Sequence, residues 1–251
     1  MNFICLPTHW ASKQRCVKRN FLHRSFGKKL RITTTMLLLS LYAMPMLGQE
    51  HELTTDSLVE RPSFKSSVDS HDGIRLRNQN GTFARKMWRG GLLVHGFEAI
   101  GFGILAALPL EMSGWDKGEY DQYGPNLNRA YTQPPVFDHD KWYINYIGHP
   151  YQGTLFYNAV RSQNAKIWQS ALFCIGQVYV WEYVIEAGME QPSIQDLIVT
   201  PISGILLGEG VHRATISMAK NGFKWYEIAA VVVLNPMFAI NNGFKFSRPL
   251  P

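Results

Sequence analysis

Cysteine is almost absent from this chain. There are three in 251 residues, and two of them, Cys5 and Cys16, precede the first long apolar run. The remaining Cys174 cannot close an intramolecular disulfide, and no CxxC pair or zinc spacing occurs. Acidic residues are missing altogether from residues 1–49. Long apolar runs are lacking too. The uncharged stretches 99–110, 167–181, 197–208 and 228–244 all stop short of the roughly 18–20 clean apolar residues that mark a membrane span. There is no GxSxG, no assignable Ser-His-Asp order, no solenoid repeat and no sustained strand alternation. These absences exclude a disulfide-stapled domain, a zinc module, a repeat protein and a sheet-based hydrolase.

What is present begins with charge in one place. Residues 1–49 hold eight basic residues: Lys13, Arg15, Lys18, Arg19, Arg24, Lys28, Lys29 and Arg31. They are followed by the apolar run Ile32–Met46, relieved by Thr33–Thr35, Ser40 and Pro45, and then by Leu47-Gly48-Gln49. A basic flank, a short apolar core and a small residue at the exit read as a secretory signal peptide, with cleavage expected after Gly48 or Gln49. The chain's net charge of +6 belongs to that leader; beyond it 17 basic residues face 19 acidic ones, a net −2. A nucleic-acid partner is therefore not expected, and export to the cell envelope is.

Residues 50–84 are polar and aperiodic and read as a flexible lead-in. A helical domain is expected over 85–245, followed by a short tail, 246–251. Within it, Gly91–Leu110 reads as one helix and 111–139 as a long loop rich in Gly, Pro, Asn, Asp and Tyr. Pro150 suits the first turn of a helix reaching Ser162. The next helix spans about Lys166–Ala187, with Gly188 as its C-cap. Ser193 and Asp196 have capping-box spacing at the head of a helix running to about Lys220. In a last segment, Trp225–Ile240, Asn235-Pro236 should bend or end the helix.

The fold class expected is all-α: a membrane-associated or membrane-embedded bundle of about five to six helices around a polar centre. Apolar runs recur in nearly every helix, and Trp168, Tyr183, Trp225 and Tyr226 sit near helix ends, as aromatics do at membrane interfaces. Thr200, Gly204 and Gly208 form a small-residue stripe suited to close helix contact.

Charges inside such helices are expensive, so they should face one another or a wet cavity. Glu182, Glu186 and Glu190 share a helical face by their four-residue spacing. Glu209 has His212 and Arg213 at i+3 and i+4, near the face of Asp196, and His95 lies three before Glu98. The candidate catalytic set is His149, Glu182, Glu186, Asp196, Glu209 and His212, with His149 or His212 as acid/base and a carboxylate orienting the imidazole. Asn145, Arg161 and Arg213 are the candidate binding residues. An alternative reading is a network fixing helix register, through Glu186 with Arg213 or Glu209 with Arg161. Glu209-x-x-His212 also has the spacing used in di-iron carboxylate bundles, although its only partner, His95-x-x-Glu98, runs in reverse order.

The block Asn145-Tyr-Ile-Gly-His149-Pro150-Tyr-Gln-Gly153, then Tyr157 to Ser162, Trp181-Glu182-Tyr183, Glu186, Glu190, Pro192 to Leu197, Thr200-Pro201, Gly204 and Gly208-Glu209 resembles the family catalogued as domain of unknown function 3943. That resemblance, over about residues 85–240, implies an exported protein of Gram-negative envelopes and no established activity. The expected role is structural or lipid-contacting, with membrane lipid and other envelope proteins as partners. A membrane-embedded enzyme acting on a lipid or envelope precursor is the alternative, and a carboxylate-rich metal protein the third reading. The cofactor, if any, is unknown from the sequence.

Overall fold

The computed structural model describes residues 3–4, 17–18, 76, 78–109 and 122–246. The rest of the leader with its expected signal peptide, nearly all of the lead-in, the first part of the expected loop and the tail beyond residue 246 lie outside the described residues. Apart from a two-residue antiparallel pairing of Phe3–Ile4 with Val17–Lys18, the described chain is helical.

Among the described residues seven α-helices form the domain: α1 Phe83–Ala107, α2 Tyr123–Thr132, α3 His149–Arg161, α4 Ile167–Val180, α5 Ile194–Asn221, α6 Trp225–Leu234 and α7 Pro236–Asn241. Two π-helical segments, Ile144–Gly148 before α3 and Trp181–Ile185 after α4, extend their helices by a wider turn.

Local chemistry explains most boundaries. The Thr82 side chain caps α1, accepting from the Arg85 amide at 3.4 Å, so this helix opens eight residues before the expected Gly91. The end of the expected lead-in is anchored as well: Leu76 is buried, and Asn78 donates to Gln163 at 2.9 Å. Pro150 lies in the first turn of α3, and Ser193 caps α5 by accepting from the Asp196 amide at 3.2 Å. Gly222, with φ of 79°, ends α5 in a conformation a side chain would resist. Asn235 ends α6 and caps α7, accepting from the Phe238 amide at 3.1 Å, so the Asn-Pro break splits the last segment in two.

Two expectations are corrected. The supposed loop 111–139 contains α2, whose Tyr123, Asn126 and Ala130 are buried. Its polar composition hid a helix docked by hydrogen bonds, for Asn126 donates to the Met189 carbonyl at 2.9 Å. Gly188 does not cap a helix. The Tyr123 ring lies so close that a Cβ at Gly188 would meet Tyr123 Cε2 at 1.9 Å.

The centre of the domain is the crossing of α3 with α5. A Cβ on Gly153 would stand 2.3 Å from the Thr200 carbonyl oxygen, and one on Gly204 would stand 2.5 Å from Gly153 Cα. Only glycine at both positions lets the two backbones touch. Contacts of 153 with 200 and 204, of Tyr157 with Gly208 and of Arg161 with Glu209 advance together, so α3 and α5 run in the same direction. α1 runs opposite to α3, with Gly90 packed on Val160 and Lys86 donating to the Asn164 carbonyl at 2.8 Å. Around this crossing Val94, Phe156, Tyr157, Val160, Phe173, Val178 and Met237 form the main apolar cluster. A second one, Leu76, Ala219, Val231 and Phe238, ties α5 to α6 and α7.

Candidate functional site

The expected polar residues do not converge on one centre, because α5 is a rod that carries Asp196 in its first turn and Glu209 and His212 well along its length. Asp196 and Glu209 are thirteen residues apart on α5, roughly 20 Å at 1.5 Å per residue. His212 lies a further three residues along. A single centre containing all six candidates is not what the helices build.

The first centre gathers His149, Asp196, Glu182 and Asn145, where α3 and α5 begin and the π-segment after α4 lies. His149 Nε2 is 3.4 Å from Asp196 Oδ1, and its Nδ1 is 3.2 Å from Gln152 Oε1. Glu182 Oε2 accepts from the Ser193 amide at 2.9 Å. Asn145 donates to Asp138 Oδ1 at 2.8 Å, and the Ser193 hydroxyl donates to Asp138 Oδ2. Three oxygens here are buried without a hydrogen-bond partner: Asn145 Oδ1, Glu182 Oε1 and Asp196 Oδ1. Glu186, one turn beyond Glu182, adds a further carboxyl beside Glu182 and Glu190.

This centre is acidic and short of cations, and its electrostatics follow. Burial pushes Glu182 up to about 8; the Ser193 amide opposes the rise, while the charges of Asp196, Glu190 and Asp138 add to it. Glu186 is raised well above the ordinary carboxylate range by burial and then by Glu182, Glu190 and Asp196. Burial also raises Asp140, helped by Asp138 and opposed by His149. Asp138 goes the other way: burial works against its ionisation, but hydrogen bonds from Ser193, Asn145 and the Asp140 amide hold it below its ordinary value. Chemically, the centre offers a carboxyl able to hold a proton near neutrality, beside an imidazole–carboxylate pair.

A pH dependence of stability follows. Glu182 ionises near 4.5 when unfolded and near 8 when folded, so folding takes up a proton between those values. Its stabilising contribution is complete below about pH 4.5 and is lost as pH rises toward 8. We expect the melting temperature to fall by roughly 5 °C or more from pH 5 to pH 8. Glu182→Gln should shrink that slope. A slope unchanged in the variant, followed by thermal unfolding, would remove Glu182 from the account.

The second centre is an ion-pair cluster. Arg161, 1% exposed, donates to Glu209 through Nε at 2.8 Å and Nη2 at 3.3 Å, and through Nη1 to the Ala165 carbonyl at 2.9 Å. Arg213 Nε donates to Glu209 Oε1 at 2.8 Å, and the Tyr157 hydroxyl to Oε2 at 2.7 Å. This satisfies the Glu209–Arg161 version of the register network. Glu186 belongs to the first centre and not with Arg213. His212 is buried on α5 apart from the first centre, and His95 Nδ1 pairs with Glu98 Oε2 at 2.6 Å inside α1.

Among the described residues no three His, Cys, Asp or Glu side chains are grouped so as to hold a metal ion. Glu209, the acid of the Glu-x-x-His spacing, is engaged by two arginines and a tyrosine instead.

Asp138, Gln152 and Ser193 complete the first centre, and none of them is among the residues the sequence singles out as catalytic or binding. Ser193 was legible only as a cap. Asp138 is in an irregular segment, brought in by the parallel bridge between Val136 and Ser193, with Val136 donating to the Pro192 carbonyl at 2.9 Å. No periodicity announces such a contact.

The π-segment before α3, the α3–α5 crossing and both polar centres fall in one stretch of sequence. Residues 134–237 match DUF3943, a domain of unknown function. The matched part starts just ahead of the Val136 bridge and ends within α7, so DUF3943 takes in both centres. The resemblance traced over about 85–240 therefore holds for α3 to α6, while α1 and α2 lie outside the matched residues. No curated protein and no solved structure matches the chain.

Proposed function

We propose that this is an exported envelope protein whose helical bundle contacts membrane lipid through its outer faces and acts as a structural, lipid-contacting component. The observation that carries the reading is the distribution of polarity. The interior holds Asn158, Arg161, Gln163, Gln177, His212 and Asn241, all at most 1% exposed. The surface carries Ile100 and Ile104 on α1, Leu172 and Ile175 on α4, Ile202, Leu206 and Leu207 on α5, and Val233 and Leu234 on α6. Leu206 is 70% exposed. In water such a surface is an interaction site; scattered single apolar residues would be ordinary, but rows on four helices are not.

The aromatic residues support lipid as the partner. Trp168 is exposed at the start of α4 and Tyr179 near its end, with Trp142, Tyr143 and Tyr146 exposed beside the beginning of α3 and Trp225 and Tyr226 at the start of α6. Aromatics flanking an apolar band fit the headgroup level of a bilayer. By length and composition α5 is able to cross a membrane, and only about a quarter of its most apolar part is buried in the bundle. The basic, acid-free leader and its apolar core supply the export route. On this reading the polar interior fixes helix register where an apolar exterior cannot.

Fractionation of tagged protein tests both halves. The expected result is a processed chain that stays with membranes through a carbonate wash and leaves them with detergent. A double change, Ile202→Glu with Leu206→Glu, should shift most of the protein to the soluble fraction. Wild-type protein found in the soluble fraction after the carbonate wash would overturn the proposal.

A further inference from the structure

A cavity of about 250 Å³ lies among α1, α3, α7 and the π-segment that follows α4. Phe97, Leu155 and Met237 form much of its wall, which is almost wholly apolar, and Gly101 lies along one side. Two lining residues each carry a polar atom that is buried and has no hydrogen-bond partner: Glu98 Oε1 and Trp181 Nε1. Both side chains belong to residues more than nine-tenths buried. A buried donor and a buried acceptor left unmet at one apolar cavity are costly unless something meets them.

We infer that this cavity binds the alkyl chain of a neutral, hydroxyl-bearing amphiphile. The apolar wall selects a hydrocarbon. An apolar protein cavity of about 150 Å³ already accepts benzene, so this one, at about 250 Å³, has room for roughly ten carbons. A hydroxyl is both donor and acceptor, and so can give its proton to Glu98 Oε1 and accept one from Trp181 Nε1. A carboxylate head has no proton to give and would bring a second acid beside Glu98, so fatty acid anions are disfavoured. A plain alkane leaves both protein atoms unmet. Gly101 makes the room: a Cβ there would meet nothing within 4 Å. The site adjoins the first polar centre, whose Gln152 also lines the cavity, but it uses none of that centre's carboxyls and does not depend on the outer apolar faces, so it stands or falls separately from the membrane reading.

The test uses 2-bromo-1-decanol, whose bromine sits beside the hydroxyl and quenches nearby indoles, with purified full-length protein in lipid nanodiscs and, in parallel, in lipid-free buffer. The expected result is a saturable component of tryptophan quenching that disappears in Trp181→Phe. 1-Decanol should compete for it at least tenfold better than decane or decanoate. Gly101→Leu fills the cavity from an uncrowded helix position with a better helix former, so it should fold and lose the saturable component. Glu98→Leu should keep alkyl binding but bring decanol down to the level of decane. The inference is overturned if quenching is unsaturable in the wild type, if Gly101→Leu is quenched like wild type while melting normally, or if decane competes as well as decanol. Should Gly101→Leu melt abnormally, Leu155→Trp fills the same cavity from α3, and saturable quenching that persists there overturns the inference equally.

Discussion

Gly204→Leu is expected to abolish the folded domain, and Gly204→Ala alone to cost about 1–3 kcal/mol, the usual range for overpacking, or more. The reason is the partner. An added Cβ meets Gly153 Cα and its carbonyl carbon at 2.5 Å, and both are backbone atoms that no rotamer change can move aside. α3 and α5 would have to separate, drawing Tyr157 from Gly208 and Arg161 from Glu209. The control is on the same helix: Gly210 has nothing within 4 Å of an added Cβ, so Gly210→Ala should be neutral or stabilise by up to about 1 kcal/mol. Urea or thermal unfolding of the three variants decides the matter. Similar effects at 204 and 210 would mean that the close crossing is not what holds the domain.

Arg161→Met should be nearly as damaging, at about 3–5 kcal/mol, the range for breaking one side of a buried ion pair. Arg161 is almost wholly enclosed and supplies two of the hydrogen bonds on Glu209 as well as one to the Ala165 carbonyl. Removing it leaves a carboxylate held by Arg213 and Tyr157 in a pocket shaped for a guanidinium. Arg213→Ala should cost far less, about 0.5 kcal/mol, because its side chain is 54% exposed and its pair with Glu209 is an ordinary i,i+4 contact. The double variant Arg161→Met with Glu209→Leu should recover much of the loss, since an apolar pair carries no stranded charge. If it is as unstable as the single variant, the cluster contributes by shape and not by charge.

Both predictions involve residues whose types are legible in the sequence; the partner is legible for Arg161 and not for Gly204. The glycine stripe on α5 announced a close contact by its spacing alone, yet Gly153 on the other helix carries no such periodic mark. Glu209 and Arg161 suggest themselves as a pair because both are charges in apolar surroundings. The separation of Asp196 from Glu209 follows from the rise per residue along α5 alone, so the helix expected from Ser193 to about Lys220 already implies it. That His149 and Glu182 join Asp196 and not Glu209 depends on how α3 and the π-segment pack on α5.

Local signals set the helices themselves. Ser193 before Asp196, Pro150 in a first turn and Asn235-Pro236 as a break act through the backbone within a few residues, so sequence is enough to place them. The docking of α2 is the contrary case. Its residues are polar and turn-rich, and it is held by Tyr123 against Gly188 and by Asn126 on the Met189 carbonyl, contacts more than sixty residues away.

The sequence by itself determined that this protein is helical, that its net positive charge comes from the eight basic residues within 1–49, and that a few charges would have to be accommodated inside apolar helices. Those properties depend on composition and short-range spacing. Only the tertiary structure decided which charges meet. Packing α3 along α5 through two facing glycines fixes one acidic centre at the head of the pair and one arginine-clamped carboxylate about 20 Å further along, and a helix is too rigid to bring them together.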